Sequence, residues 1–223
     1  LLCSDFINYM MAILNPSVTF QVGDIGRVPF VEGDWSKVDE LSKVLVNIAK
    51  ENYDFSELSL DFSRSKLIRQ NNKISDCFSL FKDEIEYHVL STRKGEDKLN
   101  YYINNIFGLD VPNQYEREIT LKYNTEDERI DDILIRDLLS YGIGCILGRY
   151  SPSKSSVVYA NSGNDEFEKL LADGAFATFP VDEDGIIPLT DQEWFKDDAT
   201  NRFREFVQVV WGEDHLQENL DFV

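Results

Sequence analysis

The side chains suited to binding or catalysis are few, and the most suggestive group is a basic run, Arg64, Lys66, Arg69 and Lys73, with no acidic residue inside it. Guanidinium and ammonium groups at this spacing suit the oxygens of a phosphate backbone, and a plain solvated face has the same composition. Arg149 with Tyr150 forms a second pair, in which the arginine can also simply offset the negative end of a helix dipole. His88 and His215 are the only histidines and neither has a cysteine or second histidine nearby, so both are expected at the surface or in packing. Cys3, Cys77 and Cys145 are odd in number, far apart and set among apolar neighbours, which suits reduced core thiols and not a disulfide or zinc site.

Other arrangements resemble sites but lack what the chemistry requires. Gly142, Gly144 and Gly148 fall within or at the end of an apolar helical stripe with no strand before them, so close helix packing is expected instead of a nucleotide loop. Asp182-Glu183-Asp184-Gly185 lacks the regular ligand positions and closing glutamate of a calcium loop and reads as an acidic turn. Asp131-Asp132 and Asp197-Asp198 are too ordinary in so acidic a chain to mark a carboxylate metal site. No catalytic, cofactor-binding or metal-binding residue is assigned.

The elements that would hold these residues follow from hydrophobic periodicity. Phe6, Ile7, Met10, Met11 and Leu14 mark an opening helix, ended by Asn15-Pro16, and Val18, Phe20 and Val22 alternate as a short strand before a turn at Gly23-Asp24. Ser36 and Asp39 resemble a capping signal ahead of Val38, Leu41, Leu45 and Ile48. Ile74, Phe78, Phe81, Ile85 and Val89, then Leu99, Tyr102, Ile103 and Ile106, predict a long helix with a break near Gly95, a C-cap at Gly108 and a stop at Pro112. From Ile130, the residues Ile133, Leu134, Asp137, Leu138, Tyr141, Cys145 and Ile146 predict a further helix ending near Gly148-Arg149-Tyr150. Val157 to Tyr159 and Ile186-Ile187 predict strands, and Thr190 with Glu193 the cap of a last helix bearing Phe203, Phe206, Val207, Val210 and Trp211. The expected fold class is α+β, predominantly α-helical with a few short strands, with a boundary at the Gly33-Asp34 turn.

A chain of 223 residues with 43% hydrophobic and 13% aromatic content can bury a substantial core. No apolar run is long enough to span a bilayer and no signal-peptide flank appears, so a cytoplasmic protein without membrane contact is expected. The formal net charge of −19, from 41 Asp and Glu against 22 Lys and Arg, disfavours broad contact with a polyanion. A helix already under way at the first residues suggests that the chain begins inside a longer polypeptide.

From Leu14 to Phe30 a helix leads through Asn-Pro into a Phe-Gln-x-Gly-Asp-Ile run, and Asn105 to Leu109, Glu118 to Leu121, Tyr141 to Ser151, Asp184 to Leu189 and Trp194-Phe195 follow it. In this order the blocks resemble the C-terminal part of the PglX family of BREX phage-defence adenine-specific DNA methyltransferases and related type IIG restriction-modification enzymes. The resemblance implies a parent protein that methylates adenine in DNA with S-adenosylmethionine, with the methyltransferase domain N-terminal to this chain. It makes residues 1–31 the tail of a target-recognition region, as helix plus strand, and residues 34–223 a helical accessory domain that braces the DNA clamp or docks another BREX protein.

The residues agree with a non-catalytic role. Methyl transfer to an adenine amine needs a glycine-rich turn after a strand for S-adenosylmethionine, and an Asn or Asp followed by two prolines and an aromatic that stacks on the flipped base. Asn15-Pro16 is followed here by Ser17-Val18, so no cofactor is expected in this chain. The alternative is a free-standing acidic interaction protein or DNA mimic, which the charge favours and the interleaving of acids through ordinary amphipathic helices opposes.

Overall fold

The computed structural model describes residues 2–15, 17, 19, 21–69, 73–109, 111, 119–159, 166–191 and 194–223. Among them, eight helices occur in order: α1 (Asp5–Leu14), α2 (Val22–Ile25), α3 (Ser36–Tyr53), α4 (Ile74–Phe107), α5 (Ile130–Ile146), α6 (Phe167–Ala172), α7 (Ala199–Trp211) and α8 (Leu216–Phe222). The chain divides into two compact units, residues 1–51 with 87–121, and residues 52–86 with 122–223.

In the first unit, the Ser4 side chain caps α1 by accepting the Ile7 N–H, and Asp5 N–H donates to Asn100 Oδ1 at 2.9 Å. Phe6, Ile7 and Met11 then share a buried cluster with Val38, Ile103 and Val111. Phe6 stacks on Phe107 with ring centroids 3.8 Å apart. Each such side chain contributes about 1.5–3 kcal/mol through burial, so this cluster anchors α1 to α3 and α4. The expected boundary at residues 31–34 therefore lies within this unit.

The second unit has a more aromatic core. Phe206, Trp211, Phe179, Tyr141, Tyr150 and Tyr123 are all nearly fully buried. Gly142 lets α7 approach α5, since a Cβ there would stand 2.7 Å from the Phe203 ring. α7 starts at Ala199, capped by Asp198, whose carboxylate accepts the N–H of Thr200 and both the N–H and hydroxyl of Thr190. Thr190 thus serves the cap from eight residues away instead of forming it with Glu193, which lies outside the described residues.

The α+β expectation is overturned: the structure is all helical among the described residues, with no strand or sheet. Val22 opens the helical turn α2, while Val18, Phe20 and Pro16 lie outside the described residues, as do Pro112 and Glu118. Val157 to Tyr159 runs back along the end of α5, its Val158 N–H bonded to the Arg149 carbonyl. Ile186 N–H is taken by the Asp184 carboxylate. Short apolar alternation specifies an extended chain but supplies no neighbouring strand to complete a ladder.

Three smaller expectations also change. α4 continues through Gly95, where a Cβ would meet Leu45 of α3 at 2.5 Å, so this glycine serves close packing and not a break. Gly108 ends α4 at φ +64, as its position past the last apolar residue suggests. Cys77 and Cys145 are buried, whereas Cys3 is exposed because it precedes α1. No helix is long and apolar enough to cross a membrane among the described residues.

Candidate nucleic-acid interface

The basic run occupies the segment between α3 and α4, in the second unit. A turn at Ser65 accepts the Leu67 N–H on its hydroxyl and the Ile68 N–H on its carbonyl, and Leu67 and Ile68 are buried. These anchors distribute the cations unequally. Lys66 lies over the Phe55 ring at 4.6 Å and 3.9 Å from Glu84. Arg69 donates from Nε to the Lys66 carbonyl at 2.6 Å and pairs with the same Glu84 at 3.0 Å. Lys73 pairs with Glu218 of α8 at 2.9 Å, beside Asn219, whose side-chain oxygen accepts the Ile74 N–H at the start of α4. Arg64 is exposed and forms no ion pair among the described residues.

Arg149 and Tyr150 stand beside an aromatic stack. α5 ends in a left-handed Gly148 at φ +79, and Arg149 N–H returns to the Gly144 carbonyl at 2.8 Å, a helix-ending pattern that satisfies a terminal carbonyl. Tyr150 is thereby turned inward onto Tyr141, with centroids 5.0 Å apart, and packs edgewise on Phe62 at 5.5 Å. Gly144 is required here, because a Cβ would stand 2.6 Å from the Tyr150 ring. The three-glycine pattern is thus a packing device: Gly142 admits α7, Gly144 admits Tyr150 and Gly148 turns the chain.

The hydroxyl of Tyr150 accepts from Arg149 Nε at 3.1 Å and donates to Glu57 Oε2 at 3.2 Å. Burial raises the Glu57 carboxyl above its ordinary range, against the lowering effect of its hydrogen bonds from Tyr150 and Ser140. Burial likewise pushes the Cys145 thiol up to about 12, so it is an inert neutral group at ordinary pH. Tyr123 and Tyr141 are raised too, first by burial. These shifts favour the neutral forms of Glu57, Cys145, Tyr123 and Tyr141.

Sequence alone does not reveal the role of the loop after Tyr150. Ser156 has a positive φ of +68, uncommon for a non-glycine residue, and its N–H donates to the Ser63 carbonyl at 2.6 Å. Lys154, two residues earlier, is exposed and has no ion pair among the described residues. Only the Ser-Pro turn signal points to this loop. The acidic turn at Asp182 spends its carboxylate on the N–H groups of Asp184 and Gly185, and no metal-binding group occurs among the described residues. His88 is buried 3.8 Å from Glu51 in the first unit, and His215 lies 3.2 Å from Glu218 in the second.

Comparison with known proteins identifies relatives along the whole chain. It is 36% identical over 236 aligned positions, covering 99% of the chain, to the adenine-specific methyltransferase BrxX of Escherichia coli O9:H4 (strain HS). The chain is homologous to part of the BrxX and PglX adenine-specific methyltransferases. The adenine-specific methyltransferase PglX of Lacticaseibacillus casei (strain Zhang) is 25% identical over 100% of the chain. The chain spans 19% of the length of each of these BrxX and PglX relatives. No protein-family model matches it.

Proposed function

We propose that this chain is the non-catalytic C-terminal region of an adenine-specific DNA methyltransferase of a BREX phage-resistance system, bracing the DNA-recognition clamp or docking a defence partner. The observation that carries this reading is end-to-end similarity to BrxX and PglX over a fifth of their length. In it, S-adenosylmethionine and the target base bind in the parent protein outside these 223 residues. Residues 1–31 form the tail of the recognition region and residues 34–223 the accessory domain. DNA contact within the chain falls on cations of the second unit, with the exposed Arg64 and the half-buried Lys66, Arg69 and Lys73 as candidates. Exposed ion pairs are worth about 0–1 kcal/mol, so Glu84 and Glu218 restrain Lys66, Arg69 and Lys73 without barring phosphate.

Calorimetric titration tests the catalytic boundary. The chain alone is expected to release no heat with S-adenosylmethionine while the full parent protein binds it. Stoichiometric binding by the chain would move the boundary and sink the accessory reading.

A further inference from the structure

We infer that Arg64, Arg149 and Lys154 together form a phosphodiester-binding cluster at the C-terminal end of α5. This rests on the accessory reading above and names the surface by which the region meets DNA. The three residues are far apart in sequence but tied by the backbone. The Ser156 N–H bond to the Ser63 carbonyl holds the loop bearing Lys154 against the residue preceding Arg64. The Val158 N–H bond to the Arg149 carbonyl, at 2.8 Å, holds the same loop against Arg149. A serine in the left-handed region maintains the first tie, and such strain persists only where the surroundings enforce it.

The charge state of the cluster sets it apart from the basic run. Lys66, Arg69 and Lys73 face carboxylates, whereas Arg64, Arg149 and Lys154 have no ion pair among the described residues. The acid that enters the hydrogen-bond network of Arg149 is Glu57, which accepts from the Tyr150 hydroxyl; burial raises its carboxyl and the Arg149 charge lowers it, without a direct ion pair between the two among the described residues. Arg149 is braced over Tyr150, 5.5 Å from the ring centre to the guanidinium carbon, which limits the entropy lost on binding. Three cations on a fixed loop and helix end suit the non-bridging oxygens of neighbouring phosphates. An acidic chain thereby contacts DNA at one point while the rest of its surface faces away.

The test is DNA binding by the full-length protein across a salt series, with Arg64→Gln/Arg149→Gln/Lys154→Gln compared with Lys66→Gln/Arg69→Gln/Lys73→Gln. The first set is expected to flatten the log–log salt dependence by roughly 0.9 for each phosphate no longer neutralised, and the second by less. Because Arg149 also supports Tyr150, the pair Arg64→Gln/Lys154→Gln is measured alongside and is expected to give about two thirds of the effect. An unchanged slope in the triple and paired variants of a protein that still methylates DNA overturns the cluster and leaves the accessory reading standing. A larger effect from the second set assigns the contact to the basic run and also overturns it. Failure of the unaltered protein to bind or methylate DNA removes both.

Discussion

The two units reach stability by different means. The first joins helical stripes around Phe6, Met11, Val38 and Ile103, with Ser4, Asp5 and Asn100 among its buried polar side chains. The second packs large aromatic rings around buried polar groups, with Asn52 and Asn219 bonded to backbone groups distant in sequence and Asp198 to the nearer Thr190 and Thr200. A periodic core tolerates adjustment of side chains along a helix. A core of rings keyed to loops has fewer ways to relax, so the second unit should be the less forgiving of small changes in volume.

The largest expected effect in either unit is loss of a central side chain. Trp211→Ala should cost roughly 3–5 kcal/mol and Ile103→Ala roughly 2–5 kcal/mol. Hydrogen exchange should localise the first loss to residues 52–86 and 122–223 and the second to the remainder; uniform loss from both variants would end the distinction between units.

Glycine replacement sharpens it. Gly144→Ala drives a methyl into the buried Tyr150 ring and should destabilise by about 1–3 kcal/mol despite its better helix propensity. Gly95→Ala meets Leu45 at Cδ2 and, less closely, Cγ, in a half-buried side chain that can rotate, so propensity should offset the contact to within about 1 kcal/mol. Equal denaturation midpoints for the two variants would contradict the proposed difference in packing freedom.

The smallest effect is on pH dependence. Hydrogen bonds from Thr200 and Thr190 hold the Asp198 carboxyl below its ordinary range. Its contribution is therefore complete above the unfolded value, about 4, and is lost as pH falls through the folded value. Burial moves Glu57 the other way, so its contribution is greatest below the unfolded value and declines as pH rises through the folded one. At neutral pH, Asp198→Asn should lower the melting temperature, and Glu57→Gln should leave it unchanged or raise it. Shifts of the same sign would show that one environment has been misread.

The helices are legible where burial imposes a period. Ile74, Phe78, Phe81, Ile85 and Val89 announce one face of α4, and all five are buried. Val157 to Tyr159 and Ile186-Ile187 mislead because a short run of β-branched and aromatic residues carries no information about a pairing partner. The basic run looks free of acids because only neighbours in sequence are visible there. Glu84 arrives from α4, and Glu218 from 145 residues beyond Lys73. The Asp198 cap needs Thr190 to fold back eight residues, and the cluster around Arg149 depends on a loop bond to Ser63 that leaves no sequence signature.

Asn52 acts as a side-chain substitute for a peptide group. Its amide donates to the Tyr123 carbonyl and accepts the Tyr123 N–H, both at 2.9 Å and both buried. The two residues lie where the chain first enters the second unit and where it returns to it, 71 positions apart. During synthesis, residues 52–86 emerge from the ribosome before the partners that complete their unit. Their apolar face must wait for Tyr123 and all that follows, giving chaperones a defined interval in which to act.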